Sequence, residues 1–314
     1  MNKNKYISRL DLYPIQVFYA VASERSFSRA AEKLFRTQPA VSMMVRRLES
    51  QLGEKLIDRS GRDLILTDAG QIVLEHARRL ENLQTELENA LAELRDNAAG
   101  RLIIGANEST TLYLLRHIQK YRRLYPRVRI QIRRSLSSKI PSQLVEGDLE
   151  LGVLSYDPAD KRLDSRVIYK DHLAFVVSPK HRLANQETVS ITELGMETFI
   201  AHHVDSPYRH VVLEQFQRHK VALNMDLEMP TVESIRKLVQ RNEGVAFLPR
   251  MCVEPELEQG TLREVRVNEL DVERKIRLAY PARRSLSHAA RAFLELVKET
   301  RQKRQRARPG FPDS

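Results

Sequence analysis

Apolar positions near the N-terminus recur with a helical rather than an alternating period. Leu12, Ile15, Val17, Phe18 and Val21 share one face of a first helix, and the polar run 23–26 breaks the pattern. Ser28 is a suitable N-cap for a second, two-turn helix in which Ala30, Ala31 and Leu34 form a small-residue face that another helix can approach closely. Thr37 can cap a third helix, with Pro39 tolerated because first-turn amides have no intrahelical partner. In that helix Val41, Val45 and Leu48 line one face, while Gln38, Ser42, Arg46 and Glu49 lie on another. Gly53 ends it, and the apolar runs 56–57 and 64–66 flank Ser60, Gly61 and Arg62 as a small hairpin. Two short helices at a tight turn, followed by a hairpin, predict a winged helix-turn-helix over residues 1–67.

The next stretch is rich in Glu, Arg, Leu and Ala and predicts one long helix across 68–99, closed by Asn97, Ala98, Ala99 and Gly100. Leu80, Leu83, Leu87, Ala90 and Leu94 follow three-four spacing, the pattern of a coiled-coil seam; packing on its own chain is the alternative.

Beyond residue 100 short apolar runs alternate with helical patterns. Strands are predicted at 101–106, 128–132, 149–154, 173–177, 198–201, 244–249 and 276–280. Helices are predicted after Thr111, at 140–146, after Ser206, at 232–240 and at 289–298. Strand, polar turn and helix in succession predict an α/β body over 100–300.

Length and composition narrow the class. A chain of 314 residues has room for two or three domains, each with its own core. One cysteine, Cys252, excludes an internal disulfide framework and any zinc ribbon, and reads as an ordinary thiol of a reducing compartment. No stretch approaches the roughly 18 consecutive apolar residues of a membrane span, so a cytoplasmic protein with no membrane partner is expected. The net charge of +11 is uneven: residues 1–70 hold 12 basic and 8 acidic side chains, residues 301–314 hold 5 and 1, and the middle is nearly neutral. A cationic N-terminal module beside a neutral body suits a polyanion at one end, though a solvated surface has the same signature. The basic tail 301–314 lacks an apolar face and reads as disordered.

The motif Ser26-Phe27-Ser28-Arg29-Ala30-Ala31-Glu32-Lys33-Leu34, then Thr37-Gln38-Pro39-Ala40-Val41-Ser42, Arg47-Leu48-Glu49, Leu52-Gly53, Leu56, Arg59 and Leu66-Thr67-Asp68-Ala69-Gly70 closely resembles the DNA-binding domain of LysR-type transcriptional regulators. The resemblance implies that the third helix enters the major groove of promoter DNA and that the hairpin is a wing on the flanking backbone or minor groove. DNA-contacting residues would then be Arg36, Thr37, Gln38, Pro39, Ser42, Arg46, Arg59 and Arg62. Gln38 suits an adenine or a phosphate, Ser42 a base edge, Arg46 a guanine or a phosphate, and Arg36 and Thr37 the backbone. Surface ion pairs, Arg46 with Glu49 and Arg47 with Glu54, are the alternative. Met43 and Met44 depart from the polar residues common there; one can pack inward and the other meet a thymine methyl.

The resemblance further implies a dimerising linker helix, a homodimer or homotetramer on an interrupted inverted repeat, and two α/β subdomains like those of periplasmic binding proteins. These would span about 100–173 with 280–300, and about 174–279. Ligands of open α/β sheets sit beyond strand carboxyl ends, where helix N-termini offer free amides. That rule points to Ser109, Thr110 and Thr111, to His202, His203, Ser206 and Tyr208, and to Thr231 and Ser234 as contacts for a small polar or anionic effector. Simple helix capping accounts equally for each hydroxyl. Glu108 would oppose an anion if it faced the cleft, and Arg209 could offset it. Neither a metal nor a cofactor is expected, because the His202-His203 pair lacks ligand partners at metal spacing. No nucleophile elbow or phosphate loop is present, so an enzyme finds no support. A solute-binding protein with an incidental DNA module is disfavoured by the specificity of the recognition-helix match.

Overall fold

The computed structural model describes residues 11–58, 64–95, 100–204, 206–283 and 286–307, which fall into two compact units divided after Leu91. The first unit opens with α1 (Leu12–Glu24), α2 (Phe27–Lys33) and α3 (Gln38–Leu52). Ser26, not Ser28, caps α2: its hydroxyl accepts the Arg29 N–H, so the helix begins two residues earlier than predicted. Val17, Phe18, Val21, Ala30, Val41, Val45 and Leu48 close one fully buried core. At about 1.5–3 kcal/mol for each large side chain buried, that core holds the three short helices together.

A two-residue ladder follows, β1 (Ile57–Asp58) antiparallel to β2 (Ile65–Leu66). Then comes α4 (Asp68–Arg95). Thr67 accepts the Gly70 N–H through its hydroxyl, while its own N–H donates to the Leu56 carbonyl. A Cβ at Gly70 would collide with that same Leu56 oxygen, so only glycine lets the helix start so close to the hairpin.

The second unit carries β3 (Gly100–Ala106), α5 (Glu108–Leu124), β4 (Val128–Arg134), α6 (Ile140–Glu146), β5 (Leu151–Leu154) and β6 (Leu163–Val177). Next are β7 (Thr188–Val189), β8 (Thr198–His202), α7 (Pro207–Arg218), β9 (Asn224–Met229), α8 (Val232–Gln240) and β10 (Ala246–Pro249). The chain ends with α9 (Glu254–Glu258), β11 (Arg263–Val267), β12 (Glu273–Pro281) and α10 (His288–Ala307). β3 lies between β4 and β5 and is buried on both faces over residues 102–106, which explains its unbroken apolar run.

β6 serves two neighbourhoods. Residues 163–172 pair with β12, which joins β5 of the first subdomain, whereas residues 173–177 pair with β10 and β11 of the second. The subdomains are therefore joined by a continuous ladder. The early part of β6 was missed because its charged residues, Asp164, Arg166, Lys170 and Asp171, hide the strand period. α10 runs to Ala307, so the expectation of a disordered tail from residue 301 is corrected for 301–307; residues 308–314 lie outside the described part. Among the described residues no helix is long and apolar enough to cross a membrane.

Candidate functional site

The helix-turn-helix separates its two faces cleanly. Val41, Val45 and Leu48 are fully buried, and Arg36, Thr37, Gln38, Pro39 and Arg46 are exposed, with Ser42 half-buried between them. Gln38, Ser42 and Arg46 are four residues apart and form one outward row along α3. Thr37 has the extended backbone of an N-cap, but its hydroxyl makes no capping bond. The two methionines divide: Met44 packs against the core and Met43 is 66% exposed. Arg59 and Arg62 lie outside the described residues.

Glu49 turns inward. Its carboxylate accepts the Leu56 N–H at 3.0 Å and the Ile57 N–H at 3.4 Å, anchoring the first hairpin strand to α3. The alternative surface pairing of Glu49 with Arg46 thus gives way to a buried role on the hairpin amides, since a carboxylate can be buried only where donors meet it. Along α4, Leu80, Leu83, Leu87, Ala90 and Leu91 are exposed, with Leu83 at 61% and Leu87 at 60%. The Leu94 side chain falls outside the described residues.

In the second unit a cavity of about 880 Å³ opens between the two subdomains. Of the residues singled out by sequence, Ser109, His202, Ser206 and Tyr208 line it. The others are engaged nearby. Thr110 is fully buried and completes a capping box with Asn107, and the Thr111 hydroxyl donates to the Asn107 carbonyl. Thr231 caps α8 with Ser234 beside it, and His203 is exposed with its N–H on the Met229 carbonyl. Ser206 both lines the cavity and caps α7. The Tyr208 hydroxyl donates to the Ser155 carbonyl, crossing from one subdomain to the other.

Glu108 bridges the same gap. The Val232 N–H, at the start of α8, donates to its Oε1 at 2.9 Å, and its Oε2 lies 3.5 Å from Nε2 of His202. Nδ1 of His202 accepts the Val204 N–H, so the proton of the neutral ring sits on Nε2, toward Glu108. Burial holds the His202 pKa below that of a free histidine; the nearby Glu108 carboxylate opposes this and Arg134 adds to it. Arg209, expected to balance Glu108, instead pairs with Glu228 and donates to the His202 carbonyl.

Sequence reasoning missed Arg134, the loop 135–138 and Arg274, all of which line the cavity. The polar run after β4 obeys the same carboxyl-end rule and could have been found by it. Arg274 could not, because it belongs to the buried ladder. Cys252 is buried, with its thiol pushed up to about 12 by desolvation, so it stays protonated and unreactive. No cluster of metal-ligating side chains occurs among the described residues.

Residues 12–71 match the bacterial regulatory helix-turn-helix protein, lysR family, and residues 95–302 match the LysR substrate binding domain. The chain belongs to the LysR family. It is a DNA-binding transcriptional regulator with an effector-binding domain, not an enzyme. Among similar proteins, a "Probable RuBisCO transcriptional regulator" of Cyanophora paradoxa is 31% identical over 293 residues, 91% of this chain and 90% of that protein. One of the same description from Synechocystis sp. is 32% identical over 290 residues, 90% of this chain and 84% of that protein. The fold is shared with CbnR, a LysR family regulator also solved with its target DNA (TM-score 0.70, 17% identity, 93% of this chain and 99% of CbnR). It is also shared with the regulatory domain of Synechocystis CcmR in complex with 2-PG (TM-score 0.59, 21% identity, 64% of this chain and 97% of that domain).

Proposed function

We propose that this regulator reads an interrupted inverted repeat in promoter DNA as a homodimer or homotetramer, and that a small polar or anionic effector in the inter-subdomain cavity modulates that binding. The observation that carries the reading is the outward row Gln38, Ser42 and Arg46 on a helix whose opposite face is wholly buried. Gln38 and Arg46 are the base readers, Ser42 meets a base edge, and Arg36, Thr37 and Pro39 hold the backbone, a role also assigned to Arg59 and Arg62. The exposed leucine stripe of α4 supports self-association, because a monomer gains nothing from leaving it in water. Ser109, His202, Ser206 and Tyr208 contact the effector directly, and Thr110, Thr111, His203, Thr231 and Ser234 support the loops and helix starts that shape the cavity. The protein works on chromosomal DNA in the cytoplasm.

Binding to the DNA upstream of its own gene, against a scrambled duplex and over a salt series, tests this. Selective protection of two half-sites is expected. Replacing Gln38 or Arg46 by alanine should cost about 1–3 kcal/mol on the selective site and little on the scrambled one. Equal, steeply salt-sensitive binding to both duplexes would reduce the interaction to phosphate attraction.

A further inference from the structure

Both subdomains give the cavity polar groups, but most of its large apolar side chains come from the second. The second subdomain contributes Leu173, Phe199, Leu223, Met225 and Phe247, an apolar floor on which the Phe199 and Phe247 rings stack at 5.5 Å and 6°. The first contributes Arg134 and the serine-rich loop 135–138. Charge along the lining is largely neutralised from within. Arg209 pairs with Glu228 at 2.6 Å and Arg274 with Asp171 at 2.8 Å, whereas Arg134 forms no ion pair among the described residues. The natural anion position of the cavity, the N-terminus of the nine-residue α8, already holds the Glu108 carboxylate.

A compact dianion would have to expel Glu108 from the α8 amide and leave that carboxylate beside a second negative charge. Like charges at such range in a partly desolvated site strongly disfavour one another. A small hydrophilic molecule would also leave the aromatic floor wet in a space of about 880 Å³, the size that suits larger, mostly apolar ligands.

We infer that the effector is an amphipathic monocarboxylate, its apolar body seated on the Phe199–Phe247 floor and its carboxylate directed to Arg134, with Glu108 excluding small dianions from the α8 N-terminus. This rests on the reading of the cavity as the effector site. It narrows the class from polar or anionic molecules to those with a substantial hydrocarbon part and one negative charge. Glu108 and Arg134 are the specificity-determining residues, one selecting against a second charge and the other for the first.

Calorimetric titration of the full-length protein with straight-chain carboxylates from acetate to octanoate, and with 2-phosphoglycolate, tests the assignment. Affinity should rise about fourfold for each added methylene, and 2-phosphoglycolate should bind more weakly than octanoate. Arg134→Met, on an exposed side chain whose loss leaves the fold intact, should weaken octanoate about tenfold while leaving octanol unchanged. Glu108→Gln should narrow the gap between 2-phosphoglycolate and octanoate. A flat response to chain length, tighter binding of 2-phosphoglycolate, an absence of carboxylate binding, or an Arg134→Met protein with unaltered octanoate affinity would each overturn the inference. The DNA assay on the same preparation separates the two readings. Selective DNA binding alongside a failed carboxylate series overturns the ligand class alone, and loss of selective DNA binding overturns the regulator whatever the series shows.

Discussion

Arg274 on β12 and Asp171 on β6 stand directly opposite one another in the ladder that joins the two subdomains, paired at 2.8 Å with side chains only 4% and 1% exposed. The second carboxylate oxygen of Asp171 accepts the Met251 N–H, and the Arg274 guanidinium lies 4.7 Å over the Tyr208 ring, whose hydroxyl reaches Ser155 across the cavity. One buried ion pair thus ties the connecting strands to a residue that lines the inter-subdomain cavity.

Removing one partner of this pair leaves the other buried and uncompensated. Arg274→Met should therefore destabilise the protein by about 3–5 kcal/mol, read as a fall in the urea midpoint. Replacing both partners, Asp171→Leu with Arg274→Met, should recover most of that loss, since burial raises the Asp171 pKa despite its partner and the charged pair adds little net stability. The sign agrees. A carboxyl with a raised folded pKa contributes most below its unfolded value, and that contribution is lost as pH rises through the folded pKa. A double variant no more stable than the single one would show that the pair is a true stabilising contact.

His202 behaves in the opposite sense. Its folded pKa is depressed by burial, so its contribution is present above the free-histidine value near 6.5 and is lost as pH falls through the folded pKa. The melting-temperature advantage of the wild type over His202→Gln should shrink between pH 7 and pH 5. A constant gap across that range would mean that folding does not shift the His202 pKa, and would overturn this prediction.

Gly70 sets the distance between α4 and the hairpin. Gly70→Ala forces its methyl group into the Leu56 carbonyl and should destabilise the N-terminal unit by about 1–3 kcal/mol, with weaker DNA binding at fixed temperature. Unchanged unfolding of the variant would show that the helix start can shift without cost.

The α4 stripe predicts the assembly. Leu83→Glu with Leu87→Glu alters two side chains that the monomer leaves in solvent, so helicity and melting of the isolated chain should hold. Sedimentation should shift from dimer or larger to monomer, and affinity for a two-half-site DNA should fall to that of one half-site. A variant that still sediments as a dimer would place self-association elsewhere.

Local chemistry made much of this protein legible from its residues alone. Short-range periodicity marks α1 to α4, Pro39 marks the start of α3, and the alternation of strands and helices marks the α/β body, because each pattern is complete within a few turns of chain. The outward row of α3 was legible for the same reason: opposite faces of one helix follow from spacing. What spacing could not reveal is where a charged side chain turns once the chain has folded. Glu49 goes inward to the hairpin amides seven and eight residues on. Glu108 crosses to α8, 124 residues away, and Arg274 finds Asp171 across 103. Such groups look like solvated charges in any window of sequence; desolvation makes them costly unless a donor or counter-charge arrives, and only the tertiary arrangement brings that partner. The same holds for the cavity, whose Phe199–Phe247 floor and Arg134 loop come from separate subdomains and become one cavity when the β6–β12 ladder joins them.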